Sequence, residues 1–314
     1  MINPTPIATT LIGAVLSALL LCSSVNLAVA APTAAAAPTP AAVPVPDTAP
    51  PAVAPRARAY LFRGALGPIF SRGMDGLTER IEQAGITADV YEFTICRLIA
   101  SNAIRQYRED PAPIILIGHS MGGYCALIFS EMLQAENISV SLVVTIDPPQ
   151  ISPDVPLNIE RYINIFLSKS VLGGSHMKPK QGFRGHYASF DLSEHDEVSH
   201  INIEKKDDIQ EQLVSKVMQV ATMPAAKTAG DALPLNYVVP PDAPIELWDS
   251  GMPVFARPGD SLQTIAALYH VPLWSVTQVN KGAEKTPLVP GERVIVPRHV
   301  VPLAQASGPA PPKR

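Results

Sequence analysis

Ser120 lies in the run 113–123, PIILIGHSMGG, with Gly118 two residues before it and Gly122 two after it. Where a strand enters such a serine and a helix leaves it, the chain must reverse sharply. A side chain at either glycine position would then collide with the neighbouring strand or helix. The turn lifts the hydroxyl above the carboxyl edge of a sheet, and the backbone N–H of Met121, at the helix start, can donate to an oxyanion forming there. The chemistry this predicts is nucleophilic attack on a carbonyl carbon; a plain glycine-rich turn is the competing reading. His119, inside the motif, is expected to shape the turn and not to act as the base, because the next residue's hydroxyl points away from it.

A serine hydroxyl needs a base to take its proton and an acid to orient that base. In a sheet of this kind both come from the carboxyl ends of later strands, in the order serine, acid, histidine. The run SVSLVVTIDPPQ, 139–150, ends in Asp147 before two prolines, so its strand stops there. Asp147 is the expected acid, and Asp154, further out in the loop, the weaker choice. The run 185–208, GHYASFDLSEHDEVSHINIEKKDD, offers three histidines. His200, just before a closing helix, is the expected base. His195, among Glu194, Asp196 and Glu197, reads as a solvated surface residue; His186 is the third choice, and His176 stands nearer the preceding strand. A second oxyanion donor is expected from the glycine-containing loop 62–70, FRGALGPIF, at Ala65, with Leu66 next in line. No HExxH or similar ligand spacing occurs, so neither a metal nor a cofactor is expected.

The elements that must position these residues follow from periodicity. Strands are predicted at 59–62, 88–93, 114–118, 139–146 and 161–167, and helices at 73–84, 97–108 and 121–135. A closing amphipathic helix is predicted at 207–220. Alternation of this kind implies a mostly parallel sheet covered by helices on both faces, an α/β class.

The 314 residues carry 33 prolines and a net charge of −4, and the prolines crowd into segments that mark boundaries. Such a charge offers no basic field, so nucleic acid is excluded as an expected partner. Residues 1–30 read as a secretory signal: 11–21 is almost continuously apolar, and Ala28-Val29-Ala30 is a small-x-small cleavage pattern, though no Lys or Arg precedes the apolar run. That run is shorter than the ~20 residues a membrane span requires, so no stable span is expected. Residues 31–56 read as a Pro/Ala-rich linker, 57–221 as the catalytic unit, 222–251 as a second Pro-rich linker, 252–298 as a small module and 299–314 as a disordered tail. Beyond the signal only Cys96 and Cys125 remain, too few for a disulfide-built scaffold; Cys125 reads as a buried free thiol.

In order, IGHSMGG, TIDPP and SHINIEK resemble the α/β-hydrolase family over residues 57–221. The 27-residue spacing from Ser120 to Asp147 is similar to that of thioesterases and small lipases or esterases. The resemblance implies Ser120 as nucleophile, His200 as general base and acid and Asp147 as its orienting carboxylate, cleaving an ester, thioester or amide. The family's opening antiparallel strands have no room before Ala59, so a trimmed form of the fold with an open cleft is expected.

Residues 253–297 contain PGDSL, IAALYHV, VTQVN and LVPGERVIVP in order, and read by themselves as two short helices between two strands. This set resembles a LysM domain, a βααβ module. The resemblance implies binding of peptidoglycan or another N-acetylglucosamine-containing glycan between two loops: Gly259, Asp260 and Ser261 on one side, and Asn280, Lys281 and Gly282 on the other. Helix capping is the competing role for Asp260 and Asn280. The combined expectation is an exported, periplasmic or cell-wall-associated hydrolase of an ester substrate.

Overall fold

The computed structural model describes residues 56–222, 233–280 and 282–299. The expected signal, nearly all of the first linker and of the tail, and Lys281 lie outside the described residues.

Seven strands form one sheet in the order β2-β1-β3-β4-β5-β6-β7, every neighbouring pair parallel. They are β1 (Arg58–Arg63), β2 (Thr87–Glu92), β3 (Ile114–His119), β4 (Leu142–Ile146), β5 (Arg161–Phe166), β6 (His186–Asp191) and β7 (Leu235–Val238). Strands β3, β4 and β6 are buried along their whole length, which is why IILI and LVVTI read as continuous apolar runs and not as alternating ones. Alternate β1 residues serve opposite faces. Ala59 and Leu61 join α2 (Gly73–Gln83) and α5 (Asp207–Thr222), whereas Tyr60 and Phe62 join α3 (Cys96–Glu109) and α4 (Met121–Ala135). A short helix, α1 (Gly67–Phe70), follows β1. The chain leaves β1 outward to β2 and returns across it to β3. The strand order therefore switches between β1 and β3, where open α/β sheets form a crevice at their carboxyl ends.

The stretch expected to be a linker, 222–251, is in its described part structural. β7 lies within it and extends the sheet. Only four residues long, with alternate positions buried and prolines around it, it is too short to show a period. β6, also unforeseen, carries His, Ser and Asp among its buried residues and has no apolar signature.

Strands β8 (Trp248–Phe255) and β9 (Arg293–His299) pair antiparallel around α6 (Leu262–Tyr269) and α7 (Leu273–Val279). This βααβ module has a core of its own, including Val254, Ile265, Val276 and Val296. It is also packed firmly against the sheet. Trp248, fully buried, meets Tyr237 of β7 at 4.9 Å and Trp274 of α7 at 5.3 Å between ring centres. Gln278 of α7 accepts from the Val238 N–H at 3.1 Å and donates to its carbonyl at 2.7 Å, closing polar groups of the edge strand that would otherwise face outward.

At the amino ends of β5 and β6, buried Asp249 lies 2.8 Å from His186 Nδ1, 3.3 Å from Lys216 Nζ and 3.9 Å from Arg161 Nε. Burial alone would raise the Asp249 carboxyl. The hydrogen bond from His186 and the nearby charges of Lys216 and Arg161 outweigh it, bringing the group down to about 2. Among the described residues no helix is long and apolar enough to cross a membrane.

Candidate active site

The elbow at Ser120 is built by backbone contact. A Cβ on Gly118 would sit 2.1 Å from the Gly122 carbonyl oxygen, and one on Gly122 would sit 2.1 Å from the Phe62 carbonyl oxygen. Only glycine lets β3, α4 and the end of β1 meet this closely. Ser120 itself takes φ 53° and ψ −123°, a strained conformation for a residue with a side chain. Met121 opens α4, so its N–H belongs to the first-turn amides that no helical carbonyl can satisfy.

The expected triad residues come together. His200 Nε2 lies 3.1 Å from Ser120 Oγ, and His200 Nδ1 lies 2.6 Å from Asp147 Oδ2. Asp147 directly follows β4, with φ 46°, and is fully buried. Its other oxygen, Oδ1, accepts from the Leu167 and Gly174 amides at 3.1 and 2.8 Å, so the carboxylate is fixed in rotation and presents Oδ2 to the imidazole. With Nδ1 donating to Asp147, Nε2 carries the lone pair that can take a proton from Ser120. Asp154 is exposed in the loop beyond.

The other histidines lie elsewhere. His186, at the amino end of β6, is spent on Asp249 and Ser250, away from the carboxyl edge. His176 packs near Phe166, and burial pushes its imidazole below the ordinary value. His195, expected in solvent, is buried at 5% exposure with Nδ1 3.2 Å from Glu197. Its charged neighbours point outward while the ring turns in. His195 and His200 both line an open cavity of about 380 Å³, with Leu167, Val171, Leu172 and Val198 supplying apolar wall.

In the loop expected to supply the second oxyanion donor, the Gly64 N–H donates to Ser71 Oγ at 3.1 Å, and Leu66 is left-handed at φ 54°. Ala65, exposed between them, carries the next amide of that loop.

His119, expected to shape the turn, is the residue whose contacts were least foreseen. Its ring is 1% exposed, with Nδ1 2.7 Å from Ser71 Oγ and Nε2 2.8 Å from the His200 carbonyl. Burial, then the proximity of His200, pushes its imidazole from the ordinary 6.5 down to about 4. Between those values the unfolded chain binds the extra proton and the folded one does not, so stability rises with pH there. Stability complete above pH 6.5 is expected to fall toward pH 4 by up to about 3 kcal/mol from this group. Urea midpoints from pH 7 to 4.5 check this, and His119→Gln is expected to flatten the slope relative to wild type.

In the βααβ module the predicted glycan loops carry structural bonds. Asp260 Oδ2 accepts from the Arg257 N–H at 2.8 Å, and Ser261 caps α6 in a reciprocal box with Thr264. Asn280 binds both the N–H and the carbonyl of Ile295, and also the Val276 carbonyl, each at 2.7 Å. Gly259 and Gly282 lie at turns with open space around them. The first turn of α6 meets the stretch after Gly282, the Gln263 N–H donating to the Glu284 carbonyl at 3.0 Å. Among the described residues no group of three or more His, Cys, Asp or Glu side chains could hold a metal ion.

A family model described as a PGAP1-like alpha/beta domain matches residues 89–171, which include Ser120 and Asp147, and a LysM domain model matches 256–297. No curated protein matches the chain. Among solved structures, a hydrolase of the alpha/beta superfamily from Xanthomonas campestris pv. campestris is similar at 17% identity and TM-score 0.27, covering 39% of this chain and 75% of that one. The RedJ thioesterase of the prodiginine pathway in Streptomyces coelicolor is similar at 17% identity and TM-score 0.24, covering 35% and 50%. The NocB thioesterase domain of the nocardicin cluster is similar at 16% identity and TM-score 0.27, covering 49% and 78%. The chain carries an α/β-hydrolase domain, PGAP1-like over its central segment, followed by a LysM domain.

Proposed function

We propose that the protein is an exported serine hydrolase that cleaves an ester through an acyl-enzyme and is held to cell-wall glycan by its LysM domain. The observation that carries this reading is the hydrogen-bond chain from Ser120 through His200 to Asp147, on a strained elbow at the carboxyl edge of the sheet. His200 Nε2 takes the Ser120 proton as Oγ attacks the ester carbonyl. The oxyanion is held by the amides of Met121 and Ala65, and Asp147 supports the imidazolium. His200 then gives its proton to the departing alcohol. Water, deprotonated by the same nitrogen, releases the acid and restores Ser120.

Export rests on the apolar run at 11–21 and the small residues at 28–30. An exported enzyme without a basic cluster suits an ester of a lipid, glycan or small molecule better than a cytoplasmic thioester. The LysM domain supports association with an N-acetylglucosamine-containing glycan such as peptidoglycan.

A fluorophosphonate probe tests the chemistry. Wild type is expected to be labelled at Ser120, Ser120→Ala to remain unlabelled, and an ester panel to be hydrolysed by wild type alone. An unlabelled wild type that still sediments with sacculi would leave a glycan-binding protein without hydrolase activity. Release of amino acids or acetate from peptidoglycan would move the substrate from an ester to an amide or acetyl group of the glycan itself.

A further inference from the structure

Three bonds run in one direction behind the site, and their donors follow from chemistry. The His200 carbonyl can only accept, so the His119 nitrogen 2.8 Å from it, Nε2, carries a hydrogen. Neutral His119 then offers a lone pair at Nδ1, to which the Ser71 hydroxyl donates at 2.7 Å. Ser71 Oγ in turn accepts from the Gly64 N–H at 3.1 Å. Glu204, fully buried, comes no closer to Nε2 than 4.0 Å, too far to compete for that hydrogen. Ser71 and His119 are each 1% exposed, so water does not replace these bonds. The His119 and His200 rings also lie 4.9 Å apart between centres, tilted by 40°.

The chain of bonds joins two loops that no strand ladder connects near the site. One end holds the backbone of His200. The other holds Gly64, whose own approach to Ser120 is so close that an added Cβ would lie 2.8 Å from the serine Cβ. Both loops must keep their distance to Ser120 for the reaction proposed above, and His119 precedes that serine directly.

We propose that His119 is a positioning residue that sets the base loop and the oxyanion loop at one distance from Ser120, through Nε2–H to the His200 carbonyl and through Nδ1 and Ser71 to Gly64. The proposal rests on the hydrolase reading for its effect on rate, but its effect on His200 can be read without turnover.

Three substitutions separate the two bonds. His119→Gln places an N–H near the Nε2 position, His119→Asn an acceptor near Nδ1, and His119→Phe keeps the ring and neither bond. His119→Phe is expected to lower kcat for the best ester of the panel by about 10²-fold with KM changed less than about twofold, as displaced reacting groups do. It is also expected to broaden, by exchange with water, the low-field proton resonance of the bond from His200 to Asp147. His119→Gln is expected to restore that resonance and about tenfold of the lost rate, and His119→Asn to restore less. Equal losses in the Gln and Phe variants that follow their melting temperatures would reduce His119 to packing and overturn the proposal, as would an unchanged resonance in His119→Phe. Should the Phe variant not fold, Ser71→Ala cuts the same chain, with about a tenfold lower kcat expected and a wild-type value counting against the proposal. An inactive wild type whose resonance is lost with Phe and kept with Gln would support positioning while removing the hydrolase reading.

Discussion

On the proposed mechanism, His200→Ala is expected to lower kcat for the best ester of the panel by about 10⁴- to 10⁶-fold with little change in KM, and Asp147→Asn by about 10⁴-fold. The reasons differ. Without His200 the Ser120 hydroxyl has no acceptor for its proton in attack and no donor for the leaving alcohol. With Asn at 147 the imidazole bond survives, but the amide can donate its own hydrogen to Nδ1 and hold the ring in the wrong tautomer. The same assay decides among the histidines. His195→Ala is expected to lower kcat by no more than about tenfold, since its ring faces Glu197 and the cavity wall. His186→Ala is expected to act on stability, through Asp249, and to leave the rate of the folded enzyme near wild type. A collapse of kcat in His195→Ala equal to that in His200→Ala would overturn the assignment.

Trp248→Ala is expected to destabilise the protein by about 3–5 kcal/mol, the usual cost of emptying a fully buried aromatic site. That corresponds to roughly 10 °C in Tm for a folded unit of this size. The larger consequence concerns cooperativity. Trp248 is the first residue of β8, the strand that leads into the LysM segment, yet it packs in the core of the seven-stranded sheet, against Tyr237 and Phe190 as well as Trp274. Calorimetry of wild type is therefore expected to show one transition for both domains, and the variant to melt earlier as a unit or to split in two. A LysM domain on a flexible tether would give two wild-type transitions and an unchanged hydrolase transition in the variant. That result would refute the packed arrangement.

What the sequence made legible was local. β1 to β5, α2 to α5 and the elbow announce themselves through apolar runs, amphipathic spacing and two glycines, each readable within about 15 residues. Asp147 could be found because a proline pair stops its strand. β6 and β7 could not, because one mixes polar residues with apolar ones in a strand buried on both faces, and the other is four residues long in a proline-rich stretch. The burial of His195 was hidden by the charges beside it, which describe their own exposure and not that of the ring. The roles of His119 and Asp249 depend on partners 81 and 63 residues away, His200 and His186, and no local pattern reports such contacts.

The packing of the LysM module on β7 turns an anchor into a spacer of set length. β7 lies four strands from β3 in the sheet, and at ~4.8 Å per strand the two are ~19 Å apart. A glycan strand gripped by the module, which packs beyond β7, would therefore be held at a set stand-off from Ser120 and not at the varying distance of a tether. Esters displayed at that reach would meet the hydroxyl at high local concentration, while those attached directly where the module grips would fall inside the gap and escape cleavage.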